Sequence, residues 1–499
     1  MPGVTLDSSR KLGGYEFFEK VLGSPKFIVA PMVDQSELAW RKLSRRYGAQ
    51  VVYTPMINAK MFAEGVRKPY REQNFDTIHG EEGGPEDRPL IVQFCANNAD
   101  HLLTSAKLLE PYCDAVDINL GCPQDIARRG HYGSYLQDEW DLIYEMINTL
   151  HKNLSIPVTA KFRVFPTVEK TVEYAKMLER AGAQILTCHG RTREQRGHRS
   201  GLADWEKIRA VKQAVSVPVI ANGNILFYGD IERCLAATGA DAVMSAEGNL
   251  YNPAIFMPAP TPSPSTATPS EPSTSSSASP SSPAAMYLTG YHPRNTSLAL
   301  EYLAIVKSQK TLTTPSAVKG HLFKLLRPAL AKYPDLRERL GRIRVERAER
   351  DKDGGAAWDR YEDVIRELDA RLDADIEAAK GKSLEELSPI DEATGFPVLP
   401  HWLAQPYIRP LPAEPEAAKP PQESTKSGVE VTAMDSSEDS AARGAKRPIS
   451  EEPQESRAAL DSPETGAPGD SKRAKLTSEE SPADTHRTKT EPAPAESTG

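Results

Sequence analysis

Short apolar runs rich in β-branched residues recur through the first half of the chain, at 27–33, 51–57, 90–96, 115–120, 157–164, 185–189, 217–221 and 240–246. Each has the length of a buried strand. Most are followed by apolar residues at helical spacing, as in 168–181 and 205–214. Strands alternating with helices predict an α/β fold with a parallel sheet. Eight such units over about 250 residues predict a closed TIM (β/α)8 barrel, placed at 15–256 after a flexible N-terminus at 1–14. A doubly wound open sheet would need a glycine-rich fingerprint after its first strand, where this chain has Ala30, Pro31 and Met32.

The pattern then changes. Residues 257–285 are almost all Pro, Ser, Thr and Ala, which predicts a disordered insertion. Helical spacing returns at 286–387, as in Leu300, Leu303, Ala304 and Val306, and predicts a small all-α domain. Lys319, Lys324, Arg327, Lys332, Arg337, Arg339, Arg342 and Arg344 crowd it with positive charge. The stretch 388–412 carries Trp402 and Tyr407, so it is expected to pack back onto a domain. The tail at 413–499 is rich in Glu, Ser, Pro and Lys and is expected to be disordered.

Composition fits this division. Hydrophobic residues make up only 39 % of the chain and there are 41 prolines, so part of it cannot bury a core. The net charge of −8 argues against a simple nucleic-acid-binding protein but leaves room for local basic patches. The five cysteines, Cys95, Cys113, Cys122, Cys188 and Cys234, show no CxxC pairing. That predicts no disulfide framework and no metal site. No apolar run reaches a membrane span and no signal peptide is visible, so a cytoplasmic protein is expected. The basic clusters Lys446-Arg447 and Lys472-Arg473-Ala474-Lys475 would suit a nuclear import signal as well.

Polar residues concentrate at the expected strand ends, the catalytic end of such a barrel. Gln93 lies on the third strand, Asn119 and Cys122 on or after the fourth, Lys161 and Arg163 on the fifth. His189 ends the sixth; Asn222, Gly223 and Asn224 follow the seventh; Ala246, Glu247 and Gly248 follow the eighth. Taken singly, each has a bland alternative: a strand-end salt bridge for Lys161, a satisfied core histidine for His189, a buried amide for Gln93. Together they suit a ring cofactor that gains negative charge, as reduced flavin does at its pyrimidine edge. Lys161 would stabilise that charge. Glycines after strands seven and eight would admit a phosphate. Cys122 sits on a turn between Gly121 and Pro123, where a thiol above a flavin can act as a general acid.

These stretches make the chain resemble the tRNA-dihydrouridine synthase family. The matching runs are Ala30-Pro31-Met32-Val33-Asp34, Gln93-Phe94-Cys95-Ala96-Asn97 and Asp117-Ile118-Asn119-Leu120-Gly121-Cys122-Pro123. Lys161-Phe162-Arg163, His189-Gly190-Arg191-Thr192 and Asn222-Gly223-Asn224 continue the series. The sequences at 122–133, 245–256, 319–328 and 400–403 look like the branch acting on uridines 16 and 17 of the tRNA D-loop.

The resemblance implies FMN held by Pro31, Met32, Val33, Gln93, Lys161, His189, Asn222, Gly223, Asn224, Ala246 and Glu247. It implies NADPH or NADH as reductant, hydride delivery to uracil C6 and a proton from Cys122 to C5. tRNA would be met by Asn119, Arg163, Arg128, Arg129 and Arg191, with no metal, no membrane and no obligate protein partner. One departure stands out: many relatives carry an arginine where this chain has Glu247, so the balance of phosphate charge is open. Two rivals remain, a flavin oxidoreductase acting on a free pyrimidine and a non-catalytic tRNA-binding chaperone. The basic loops argue against the first, and the intact Cys122, Lys161 and His189 set argues against the second.

Overall fold

A computed structural model describes residues 11–65, 68–80, 84–260, 285–346 and 355–408. The expected tail at 413–499, its basic clusters and nearly all of the expected insertion lie outside the described residues.

Among the described residues, nine strands form one parallel sheet: β1 (Phe27–Val29), β2 (Val52–Tyr53), β3 (Ile57–Asn58), β4 (Leu90–Cys95), β5 (Ala115–Leu120), β6 (Val158–Arg163), β7 (Leu186–His189), β8 (Val219–Asn222) and β9 (Ala242–Ser245). Their order is β1-β9-β8-β7-β6-β5-β4-β2, with β3 also paired to β4. The ring closes where the Val29 N–H donates to the Val51 carbonyl at 3.0 Å. The result is an eight-staved barrel.

The second expected strand, 51–57, is broken into β2 and β3. Pro55 has no N–H for the ladder. Thr54 Oγ1 takes over locally, accepting the Gln93 N–H at 3.1 Å. The expected seventh strand also runs one residue further, so Asn222 ends β8 rather than following it.

Inward positions are apolar near the N-terminal ends of the staves, with Ile91, Ala115, Ile185, Ile220 and Ala242 packed against Phe17 and Phe18 of the Gly14–Lys20 helix. That helix stoppers the barrel. The flexible N-terminus expected at 1–14 is therefore corrected at its end. Leu12 packs on this cluster. Lys11 Nζ donates to the His151 and Leu154 carbonyls at 2.7 and 3.2 Å, satisfying the C-terminus of the Trp140–Asn153 helix.

The helical region does not build a separate core. The Asn295–Ser308, Pro315–Leu325 and Asp359–Ala378 helices share one cluster with Trp40 and Leu43 of the barrel helix Leu38–Arg46. At that junction Glu37 accepts from Tyr302 Oη at 2.7 Å and meets His321 Nε2 at 3.1 Å. The His321 ring stacks on Trp40 with centroids 4.0 Å apart.

The insertion boundary expected at 257 also shifts. Ala259 N–H donates to the Thr289 carbonyl at 2.7 Å and Tyr291 N–H to the Met257 carbonyl at 2.9 Å. These antiparallel bonds tie the two ends together. From the far end, Asn295 N–H donates to the Trp402 carbonyl and Ala404 N–H to the Pro293 carbonyl. Among the described residues no helix is long and apolar enough to cross a membrane, and no cluster of potential metal ligands occurs.

Candidate active site

Side chains two apart on a strand share a face. Gln93, Asp117, Asn119, Lys161, Arg163, His189 and Asn222 therefore follow the inward apolar residues up their strands. The register sets them in rows: Gln93 beside Asp117 beside Thr159, Asn119 beside Lys161, and Arg163 beside His189 beside Asn222.

The lowest row fixes the next. Asp117 is fully buried, with Thr159 Oγ1 donating to its Oδ1 at 2.6 Å and Gln93 Nε2 to its Oδ2 at 2.7 Å. An ionised carboxylate only accepts, so the Gln93 amide must point its nitrogen at Asp117. Its Oε1 then accepts from Asn119 Nδ2 at 2.8 Å. That leaves Asn119 Oδ1 to accept the N–H groups of Gly121 at 3.1 Å and Cys122 at 2.9 Å. Asn119 thus shapes the turn as an Asx motif. Burial pushes the Asp117 carboxyl up to about 6 despite these donors and Lys161.

The carbonyl side of the turn is equally tied. Arg163 Nε donates to the Gly121 carbonyl at 2.8 Å. Ser134 donates to the Cys122 carbonyl through N–H at 3.1 Å and Oγ at 2.9 Å. Gly133 makes that approach feasible: its φ is +66°, and a Cβ there would lie 2.8 Å from the Cys122 carbonyl oxygen. Cys122 itself is half-buried and packs against the cluster of Cys95, Ala127 and Tyr132. Burial raises its thiol pKa more than the Gln124 N–H, Arg163 and Lys161 lower it, so the thiol is protonated at neutral pH.

The upper rows are cationic. Lys161 Nζ donates to Asn222 Oδ1 at 2.8 Å, and Asn222 Nδ2 donates to the Met244 carbonyl at 2.9 Å. Burial, then Arg163, brings Lys161 down to about 8. Burial, then Arg191, brings Arg163 down to about 10. His189 is held well below its ordinary value by burial and by Arg163, Lys161 and Arg191, and is therefore neutral. Three cations with one deeper carboxylate form a site suited to an anion. The donor set fits a phosphate-bearing cofactor that becomes anionic on reduction.

The remaining expected residues fall at the same end of the barrel. Pro31, Met32 and Val33 follow β1, where Ser36 Oγ accepts the Met32 N–H at 2.9 Å. Gly223, at φ +115°, lets the β8 loop pass Ala203, whose Cβ would be 2.6 Å from a Cβ on residue 223. Asn224 bonds both the N–H and the carbonyl of Ala203, each at 3.0 Å. Ala246 and Glu247 follow β9 and open a short helix, Glu247–Tyr251. Arg128 and Arg129 are exposed on the Asp125–Gly130 helix just beyond the thiol turn.

Arg191 is different. Its guanidinium turns inward, to the Gly201 carbonyl at 2.9 Å, Asn224 Oδ1 at 3.0 Å and His189 Nε2 at 3.2 Å. Many basic residues of the helical region are likewise engaged. Lys319 donates to the Gly341 and Ile343 carbonyls, Lys324 to Gln35 Oε1, and Lys332 and Arg339 pair with Asp375 and Glu367. Asp117, Thr159 and Ser134 were absent from the expected set. Asp117 was visible as the residue two before Asn119 on one strand face.

A family model described as dihydrouridine synthase (Dus) matches residues 28–285. The tRNA-dihydrouridine(16/17) synthase of Saccharomyces cerevisiae is 44 % identical over 409 residues, covering 81 % of this chain and 88 % of its own. The protein of the same name from Schizosaccharomyces pombe is 44 % identical over 435 residues, covering 85 % and 96 %. A human tRNA-dihydrouridine(20a/20b) synthase-like protein is 37 % identical over 256 residues, which is 51 % of this chain and 77 % of its own. With the family model spanning the barrel and the two fungal relatives covering 81 % and 85 % of the chain, the chain belongs to the dihydrouridine synthase family.

Proposed function

We propose that this chain is a tRNA-dihydrouridine(16/17) synthase, reducing the C5–C6 double bond of uridine in the tRNA D-loop with FMN as its flavin and NADPH or NADH as reductant. The observation that carries the mechanism is the Cys122 turn: a protonated thiol held by its backbone at the mouth of a cation-lined barrel. Support for positions 16 and 17 comes from relatives of that name, whose similarity runs through the helical region, whereas the 20a/20b relative matches about half the chain.

FMN bound in the barrel mouth would supply the hydride for uracil C6. Lys161, Gln93, His189 and Asn222 would hold its ring, Pro31, Met32 and Val33 one edge, and Gly223, Asn224, Ala246 and Glu247 the phosphate end. Cys122 Sγ gives its proton to uracil C5, so the base gains one hydride and one proton. The thiolate left behind is favoured by Arg163 and Lys161, the two cations that already lower this thiol's pKa. Asn119 and Arg163 keep the turn in place from opposite sides. Arg128 and Arg129 are exposed beside the entrance, where they would meet tRNA phosphates. The target uridine must leave its stack to enter the barrel.

The test is incubation of purified protein with NADPH and unmodified tRNA, followed by mapping of dihydrouridine. Product at 16 or 17 is expected. Reduction of free uracil or orotate alone would replace this reading with a small-molecule reductase. Binding of tRNA with no product would replace it with a chaperone.

A further inference from the structure

His189 ends β7 and Arg191 follows two residues later, turning its guanidinium back over the ring. Four contacts to three acceptors hold this side chain in a fixed arrangement. Nε and Nη2 share the Gly201 carbonyl at 3.1 and 2.9 Å, Nη2 also donates to Asn224 Oδ1 at 3.0 Å, and Nη1 lies 3.2 Å from His189 Nε2. The anchor points lie on the loop after β7 and the loop after β8, so the guanidinium is braced from both sides.

A guanidinium has five donors and no acceptor, and it keeps its charge at any pH a protein meets. The contact with His189 can therefore run only one way. Arg191 donates, and Nε2 receives with its lone pair. The single proton of the neutral imidazole must then sit on Nδ1. Protonating His189 would set two N–H groups against each other beside Arg163 and Lys161. Among the described residues no protein atom bonds Nδ1.

We propose that Arg191 is a positioning residue that fixes His189 as the neutral Nδ1–H tautomer, so that the imidazole presents a hydrogen-bond donor to the flavin. The flavin as the recipient rests on the function proposed above. The other tautomer would turn a lone pair toward the anionic edge of the reduced ring. With the proton locked on Nδ1, His189 stabilises charge without exchanging a proton. This gives Arg191 a task inside the barrel mouth in place of the phosphate contact its sequence neighbourhood suggests.

The experiment is a long-range ¹H–¹⁵N correlation spectrum of FMN-loaded protein labelled with ¹⁵N-histidine, with His189 identified by the signal missing from His189→Gln. The expected result is one Nδ1–H pattern that persists across neutral and mildly alkaline pH. In Arg191→Met the pattern should become a tautomer mixture, with tRNA reduction slowed by up to the order of a hundredfold, the scale for an oriented donor. Arg191→Lys, which also only donates, should restore the Nδ1–H pattern in part. An Nε2–H or imidazolium pattern in the wild-type protein would overturn the proposal, as would an unchanged Nδ1–H pattern in Arg191→Met. Both are read from His189 itself and are independent of whether tRNA is turned over.

Discussion

Asn119 holds Cys122 by its backbone, its Oδ1 accepting the Cys122 N–H at 2.9 Å, and Asn119 owes its own orientation to Asp117 through Gln93. A group at the floor of the polar layer therefore sets the turn that carries the thiol. Breaking the chain at different links should have different results. Asn119→Asp keeps an acceptor for the turn but sets a carboxylate against Gln93 Oε1, so product formation should fall on the order of tenfold or more, consistent with an unmatched acceptor costing about 1–3 kcal/mol. Asp117→Asn can still accept from Gln93 and should keep most activity, while Asp117→Ala should not. Single-turnover rates on tRNA decide between them.

The Asp117 substitution also has a pH signature. Its folded value of about 6 lies above the ordinary 3.8, so the folded state binds this proton more tightly than the unfolded one. Its contribution to stability grows as pH falls from 6 toward 3.8 and is lost as pH rises through 6. Asp117→Asn should remove that component, with a melting temperature at neutral pH no lower than wild type. A clear drop in melting temperature there would contradict the assignment.

Cys122→Ala should retain FMN and its reduction by NADPH while losing dihydrouridine formation by about 10²–10⁴-fold, the range for a general acid. Because the thiol lies above its ordinary value of 9.0, the wild-type rate should show no thiol-dependent loss below that pH and should decline above it. A Cys122→Ala protein that makes product at the normal rate would remove the thiol from the mechanism.

Burial brings Lys161 down to about 8. An anionic ligand favours the protonated amine, so FMN affinity should fall as pH rises through 8, and bound FMN should shift that titration upward. Lys161→Arg should flatten the dependence, since arginine stays charged. Flavin fluorescence titrations at several pH values test this, and a wild-type affinity that is level through 8 would count against a contact between Lys161 and the flavin.

Charge reversal of Arg128 and Arg129 should weaken tRNA binding and lower its salt dependence by roughly one unit of slope per arginine, with FMN content unchanged. Equal tRNA affinity before and after substitution would place the entrance elsewhere.

The staves were legible because strands covered by helices are written as apolar runs, and the polar strand ends were legible as interruptions of those runs. The break at Pro55 was written in the sequence too, but its effect depended on Thr54 reaching across to Gln93. The contacts of Arg191 were hidden for a different reason. Its acceptors come from residues 201 and 224 on two loops, and no local pattern announces them. The same holds for the helical region, whose first large core neighbour is Trp40, on the helix after β1. Its basic residues looked like one charged face, yet Lys319 caps carbonyls and Lys332 pairs with Asp375.

The antiparallel bonds joining Met257–Ala259 to Thr289–Tyr291 make the segment between them a closed circuit. Its two ends are pinned side by side, and just inside the far end Tyr287 packs on Phe227 of the barrel and on Phe396. For a flexible circuit each doubling in length costs only about 0.6 kcal/mol of closure entropy. On that scaling a change in the segment's length alters the closure cost of the pin only slightly. The bonds at 258 and 290 act as a socket whose closure depends little on the length of the sequence between them.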